Sequence, residues 1–316
     1  MNKHLQIFFK EPELSDESTG IHVPGFCQYP LPYGGGRLRK SASAALFVQH
    51  LESRDYFVGL LACQQIGVLA LGVRVKKAGL YIFYLKSGEL MFCKEQLPLI
   101  TLTEGLFFMA ALDEGEYEVL LESQTVCLQV ICMATEWYEE AQSVFYTYYY
   151  LQQKLFERHY CDALPCVVPD SDVDFLLNRI AHCRPAMPSL LEAKLENYLF
   201  KLHGAYLDQI RQEHGLALEI WLYVHDNYND YESMQEASLA KTFKKLTLRT
   251  ANRHYLKAFG LSIYQHALHL RMWRAWHLLA VEKKQVGQVG FALGYRQIEI
   301  FSKAFKLFFG RNAKDV

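Results

Sequence analysis

Side chains able to catalyse a reaction or to hold a metal occur in this 316-residue chain, but the sequence does not gather them. His4, His22 and His50 stand alone and no His-x-His pair occurs, so no metal site is expected. Gly34-Gly35-Gly36 lacks the Gly-Lys-Ser/Thr ending of a phosphate loop, which argues against nucleotide binding. No Ser/His/Asp or Cys/His arrangement stands out, and no catalytic residue is assigned. The eight cysteines form no Cys-x-x-Cys pair; Cys127 with Cys132, and Cys161 with Cys166, have the wrong separation for a zinc knuckle. Cys63, Cys93 and Cys127 lie in apolar runs, where a free thiol packs as a small hydrophobe, a pattern that favours a reducing cytoplasm over a disulfide scaffold.

What the sequence does concentrate is positive charge. The net charge is −1, but Leu216–Val316 carries 15 Lys/Arg against 8 Asp/Glu, whereas Met1–Gly215 carries 18 against 26. A basic block behind an acidic one fits a polyanion partner for one end of the chain, although ordinary solvated charge gives the same count. The basic block also repeats itself at an offset of 50 residues. Leu239–Gly260 aligns with Val289–Gly310: Leu239 with Val289, Ala240 with Gly290, Leu248 with Ile298, Arg253 with Lys303, Tyr255 with Phe305, Phe259 with Phe309 and Gly260 with Gly310. Small residues at Ala240 and Gly290 let a second helix cross closely, Thr247 suits an N-cap, and Gly294 supplies a turn. Each copy therefore reads as a helix-turn-helix. Ser262 can cap a joining helix from about Tyr264 to Ala280, roughly 25 Å long, which sets two reading helices about one DNA turn apart. Leu268, Met272, Ala275 and Leu279 form the stripe that seats this linker.

On these residues, Leu216–Gly310 resembles the DNA-binding domain of the AraC/XylS family. The match runs through Leu239-Ala240, Thr247, Arg249-Thr250, Asn252-Arg253, Tyr255, Phe259-Gly260, Ser262, Arg271, Ala275, Leu278-Leu279, Val289, Gly294-Tyr295, Phe301, Ala304-Phe305 and Phe309-Gly310. The resemblance implies a transcription factor whose N-terminal part senses a signal and dimerises. It also implies base-reading positions at Arg249, Asn252 and Arg253 in the first copy, and at Ile298, Glu299, Ser302 and Lys303 in the second. Arg pairs bidentately with guanine and Asn with adenine, each worth ~1–3 kcal/mol of discrimination. Lys244, Lys245, Thr250 and Lys257, with Arg296 and Lys306 in the second copy, suit phosphates. Glu299 departs from the pattern by placing an anion where Arg249 stands in the first copy, so weaker sequence selection is expected there. Asn312-Ala313 replaces the family's usual Ser-Pro, which weakens the C-terminal cap.

The elements that hold these residues follow from the apolar periodicity. Ala45–Leu51, Leu80–Leu85, Glu89–Cys93, Leu99–Leu102, Glu116–Leu121 and Val126–Met133 read as short strands, separated by turn signals at Lys86-Ser87-Gly88, Glu104-Gly105 and Asp113-Glu114-Gly115. The uncharged stretch Tyr56–Val73, with a Gln64-Gln65 centre and three glycines, suits barrel strands better than a membrane span. Lys10 and Glu11 interrupt the apolar opening, so no signal peptide is expected. Pro24–Gly36 reads as a loop, Glu136–Tyr160 as a helix, and Asp170-Ser171 as the cap of another. After Pro185 and Pro188, Ser189 can cap a third helix on which Leu191, Leu195, Tyr198, Leu202 and Tyr206 form one apolar stripe. Periodicity alone leaves that stripe open between a dimer interface and packing within its own domain.

The expected fold is thus α+β and multidomain: a cupin-like ligand-sensing β-barrel at 1–135, a helical linker and dimerisation segment at 136–215, and an all-α double helix-turn-helix domain at 216–316. The expected partners are double-stranded DNA, a small-molecule effector, a second copy and RNA polymerase, with no membrane, no metal and no resident cofactor. The barrel interior can hold an effector or be a filled core. Two alternatives from other classes stay open: a cupin-type enzyme with a fused DNA-binding tail, and a protein-interaction module on a decayed helix-turn-helix domain.

Overall fold

Short apolar strands, several of them buried on both faces, build the first part of the molecule. The computed structural model describes residues 4–20, 22–95, 97–141, 143–158, 162–184, 187–230, 233–234, 236–243 and 247–316. The chain divides into two compact units, Met1–Gln153 with Asp162–Gln209, and Lys154–Cys161 with Ile210–Val316. The helical stretch 136–215 contributes to both. The fold class is α+β, as expected.

In the first unit the strands are β1 (Leu5–Phe9), β2 (Ser15–Gly20), β3 (Gly35–Lys40), β4 (Ala44–Glu52), β5 (Tyr56–Gln65), β6 (Leu69–Val75), β7 (Gly79–Ser87), β8 (Glu89–Lys94), β9 (Leu97–Thr103), β10 (Phe107–Leu112), β11 (Gly115–Leu121), β12 (Thr125–Met133) and β13 (Asp162–Ala163). They form a five-stranded sheet, β1-β6-β11-β8-β9, and an eight-stranded sheet, β13-β10-β7-β12-β5-β4-β3-β2. The uncharged stretch Tyr56–Val73 becomes β5 and part of β6, turned at Gly67 with φ 80°. Gly88 closes the β7–β8 turn at φ 90°, where a side chain would stand 2.5 Å from the Thr125 carbonyl oxygen, so this turn requires glycine.

The inner faces of the two sheets meet in an apolar core that includes Leu61, Phe83, Phe92 and Val130, around a cavity of ≈ 20 Å³. That is room for about one water-sized body. β10 and β12 are buried along almost their whole length, because their other face is covered too. Tyr206 stands edge-on to Phe107 at 4.9 Å; its hydroxyl donates to the Pro165 carbonyl (2.8 Å) and accepts from the Met109 N–H (3.2 Å).

The helices of this region are α1 (Thr135–Glu140), α2 (Tyr146–Arg158), α3 (Ser171–Ala181) and α4 (Pro188–Asn227), the last running on into the second unit. Asp170 caps α3, accepting from the Asp172 and Val173 N–H groups. The single helix expected over Glu136–Tyr160 is instead two. Trp137 and Phe145 stack at 5.3 Å, whereas eight residues of unbroken helix separate by about 12 Å. Burial of Phe145 thus turns the chain back, without Gly or Pro. His203, fully buried beside them, donates from Nδ1 to the Leu199 carbonyl (2.7 Å) and accepts at Nε2 from the Tyr138 hydroxyl (3.1 Å).

The apolar stripe on α4 is largely covered within the single chain. Leu195, Leu202 and Tyr206 have no exposed area within the single chain, and Leu191 and Tyr198 are half-buried. Their surface is used inside their own unit, Tyr206 against β10 and Tyr198 beneath the Arg179 guanidinium at 5.6 Å. Leu195, Leu202 and Tyr206 have no area left to remove from water in a dimer, whereas Leu191 and Tyr198 keep part of theirs.

The second unit contains α5 (Glu236–Thr242), α6 (Leu248–Phe259), α7 (Ile263–Ala280), α8 (Val286–Ala292), α9 (Ile298–Phe309) and a 3-10 turn at Ala313–Asp315. Among the described residues no helix is long and apolar enough to cross a membrane.

Candidate nucleic-acid interface

Two helix-turn-helix units stand in the second unit, α5–α6 and α8–α9, joined by α7. Their ends are set by local chemistry. The Thr247 hydroxyl accepts from the Thr250 N–H (3.3 Å) to start α6, and Gly260 ends it at φ 68°. Ser262 and Gln265 form a reciprocal capping box at the start of α7. Gly294 turns the second unit at φ 80°, and Gly310 ends α9 at φ 71°. After it the Asn312 amide donates to Asp315 (2.7 Å) and Ala313 is buried, so the altered terminus is held by a local cap of its own.

Close crossing is visible at α8 and α9. A methyl group added to Gly290 would lie 3.3 Å from the Phe301 side chain, so the absence of a side chain allows that ring to seat. The side chain of Ala240, its counterpart in the first copy, lies outside the described residues. The linker is anchored to both copies. Tyr255 of α6 hydrogen-bonds His266 of α7 (2.6 Å), and buried Arg271 places its guanidinium over Tyr264 (5.9 Å) and Tyr295 (5.7 Å). Met272, Ala275 and Leu279 of the expected stripe are buried and Leu268 is half-buried, while Trp273 and Trp276 pack on Phe309 of α9. Beyond α7, Glu282 sits among Lys284 (2.8 Å), Arg274 (3.4 Å) and His277 (3.5 Å). The hydrogen bond from Lys284 leads in holding this carboxyl below its ordinary value.

The reading helices present unlike faces. On α6 the buried side is Ala251, Tyr255 and Ala258, leaving Arg249, Arg253 and Lys257 exposed at four-residue spacing on one side. Thr250 is half-buried at the helix start, beside Thr247 (3.1 Å). Asn252 is placed differently. It is half-buried, and its side-chain oxygen accepts from the Ile263 N–H (3.1 Å), satisfying an orphan donor at the start of α7. A bidentate pair with adenine uses the same oxygen, through its second lone pair, together with the amine. On α9, Glu299, Lys303 and Lys306 are exposed, Ser302 is half-buried, and Ile298 lies against Gly287 while remaining 38% exposed. Arg296 is exposed in the turn before α9. Lys244 and Lys245 lie outside the described residues. Three apolar side chains escaped the sequence reading: Leu256 on α6 (53% exposed) and Ile300 and Leu307 on α9 (55% and 77%). Leu256 lies seven residues from Arg249, two helical turns along the same face, which is the signal that points to it.

Among the histidines that the sequence leaves isolated, His4 contacts Glu52 at 3.1 Å, and His4 and His50 both stack on Phe57, at 5.6 and 6.1 Å. All seven cysteines among the described residues are free thiols. Burial pushes those of Cys63, Cys127, Cys132 and Cys166 up to about 12, away from nucleophilic use.

These features define a class, the double helix-turn-helix domains that grip DNA, carried here behind an antiparallel β domain. Residues 239–316 match the family model described as a helix-turn-helix domain. Among curated proteins, the chain is 26% identical over 175 residues to the Msm operon regulatory protein of Streptococcus mutans, covering 51% of this chain and 59% of that one. The chain thus matches somewhat over half the length of that relative. Among solved structures it is similar to ToxT from Vibrio cholerae (11% identity, TM-score 0.31, covering 83% of this chain and 97% of that one). It is also similar to the AraC-like transcriptional activator CuxR (12% identity, TM-score 0.35, covering 90% and 92%).

Proposed function

We propose that this chain is a sequence-specific, DNA-binding transcription regulator and not an enzyme, working in the cytoplasm. In this reading residues 216–316 bind double-stranded DNA, residues 1–135 sense a small molecule, and the helical stretch 136–215 links them and pairs two copies. The observation that carries it is the pair of outward-facing helices, α6 and α9, held by one linker helix and bearing Arg249, Arg253 and Lys257 on the first and Lys303 and Lys306 on the second. Arg249 and Arg253 read bases; Thr250, Lys257, Lys303, Lys306 and Arg296 hold phosphates, and Asn252 serves the fold. Fluorescence anisotropy of the full chain on labelled duplex at several salt concentrations tests this. Four or five phosphate contacts predict a log–log slope of about −4, so affinity falls roughly two-hundredfold between 50 and 200 mM salt. Binding that ignores salt would sink the reading.

A second reading concerns α9 alone. Exposed Ile300 and Leu307 beside Glu299 favour a protein contact there, with RNA polymerase the expected partner. Glu299→Gln tests it: tighter binding to every duplex supports a helix lying on DNA, whereas unchanged DNA binding with altered transcription supports the protein contact.

A further inference from the structure

The sensing role proposed for the first unit needs a site, and the cavity described between the two sheets has room for about one water. The opposite face of the eight-stranded sheet carries groups that the fold leaves unused. Gln129 of β12 is 0% exposed, and neither its amide nitrogen nor its amide oxygen has a hydrogen-bond partner among the described residues. Its neighbours Leu128 and Val130 line the interior, so Gln129 faces away from it, and its cross-strand partner is Tyr84 of β7. Lys86 follows two residues along the same face of β7. Its amine lies 4.8 Å from the centre of the Tyr84 ring and 5.2 Å from that of Tyr29, and no carboxylate is within ion-pair distance among the described residues. The acid in its surroundings, Asp174 of α3, accepts from the Asn178 amide (3.0 Å) instead. Burial lowers the amine's pKa, against the weaker pull of Cys127 and Asp174. A half-buried cation without an anion and a fully buried amide without partners are both costly as they stand.

We infer that Tyr29, Tyr84, Lys86 and Gln129 form a binding site on the outer face of this sheet for a small organic acid with a flat body, its carboxylate on the Lys86 amine. A second group on the ligand, able both to donate and to accept, meets the Gln129 amide. Two residues along a strand span ~7 Å, which sets the separation of the two ends of the ligand. The tyrosine rings flank the body between them. This inference rests on the reading of the first unit as a sensor.

4-Hydroxyphenylacetate has the required ends and spacing. Calorimetry on the full chain would compare it with 4-hydroxyphenylacetamide, which lacks the charge, and with phenylacetate, which lacks the hydroxyl. The acid is expected to bind at least tenfold more tightly than either, the size of one lost charge-assisted or buried hydrogen bond. Lys86→Met should abolish the preference for acid over amide, and Gln129→Met the preference for hydroxyl, each leaving the other intact. No binding by the acid, equal binding of acid and amide, or preferences unmoved by the variants would each overturn the site. The ligand comparison on the unaltered chain stands even where a variant fails to fold. Duplex binding without ligand is measured on the same samples: its failure removes the regulator reading, whereas its success beside a null calorimetric result removes only this site.

Discussion

The structural role proposed for Asn252 can be separated from base reading by substitution. Asn252→Ala removes the oxygen that accepts from the Ile263 N–H at 3.1 Å and leaves that donor unpaired at the start of α7. The loss is comparable to removing a helix cap, about 1 kcal/mol. In a unit of this size such a loss lowers the melting midpoint by roughly 4–8 °C. Asn252→Asp keeps an acceptor at the same place and puts an anion near a helix N-terminus, so the midpoint should return to within a degree or two of the unaltered chain. Melting curves followed by circular dichroism give the stability side. Selection of binding sites from a randomised duplex pool gives the recognition side: Asn252→Ala should recover the same consensus as the unaltered protein, with uniformly weaker binding. A consensus that loses an adenine while the midpoint stays put would refute the assignment and return Asn252 to the base readers.

Other outcomes follow from the same geometry. Arg253→Ala should relax selection at one or two base pairs, costing ~1–3 kcal/mol at the preferred base, whereas Lys257→Ala should weaken all duplexes about equally and reduce the salt slope by about 1; competition titrations against single-base variants distinguish them. Gly290→Val should destabilise the second unit by about 1–3 kcal/mol, because its Cβ already meets Phe301 at 3.3 Å, and urea unfolding would expose the loss. His203 is held neutral by burial, its value lowered from 6.5 to about 4, so its contribution is complete above pH 6.5 and is lost as the pH falls towards 4. That amounts to about 3 kcal/mol. Unfolding of the first unit should become easier across that window, and His203→Phe should flatten that part of the profile.

Much of the DNA-binding end is decided by local sequence. A repeat of small, apolar and glycine positions needs no distant partner to be recognised: Thr247 and Ser262 cap the helix that follows each, and Gly260, Gly294 and Gly310 take the left-handed conformation that few other residues tolerate. The charge split between the two ends and the strands β4, β7, β8, β9, β11 and β12 are legible for the same reason, since composition and turn residues belong to the chain itself.

Tertiary structure decided matters that depend on what a side chain meets across space. Asn252 has the residue type of a base reader, but the hydrogen bond its oxygen accepts from Ile263, eleven residues away, is set by the fold. The α4 stripe has the periodicity of an interface, but periodicity reports only that a face is covered; here β10 covers Tyr206 and the Arg179 guanidinium lies on Tyr198. Glu136–Tyr160 lacks any helix breaker, yet stacking of Phe145 on Trp137 folds it back, because burying the Phe145 ring against Trp137 outweighs one lost turn of helix. Gln129 and Lys86 lie 43 residues apart in the chain and become neighbours only through the β7–β12 register. Hydrogen-bond partners and desolvation are properties of neighbours, and for these residues the neighbours are supplied by the fold.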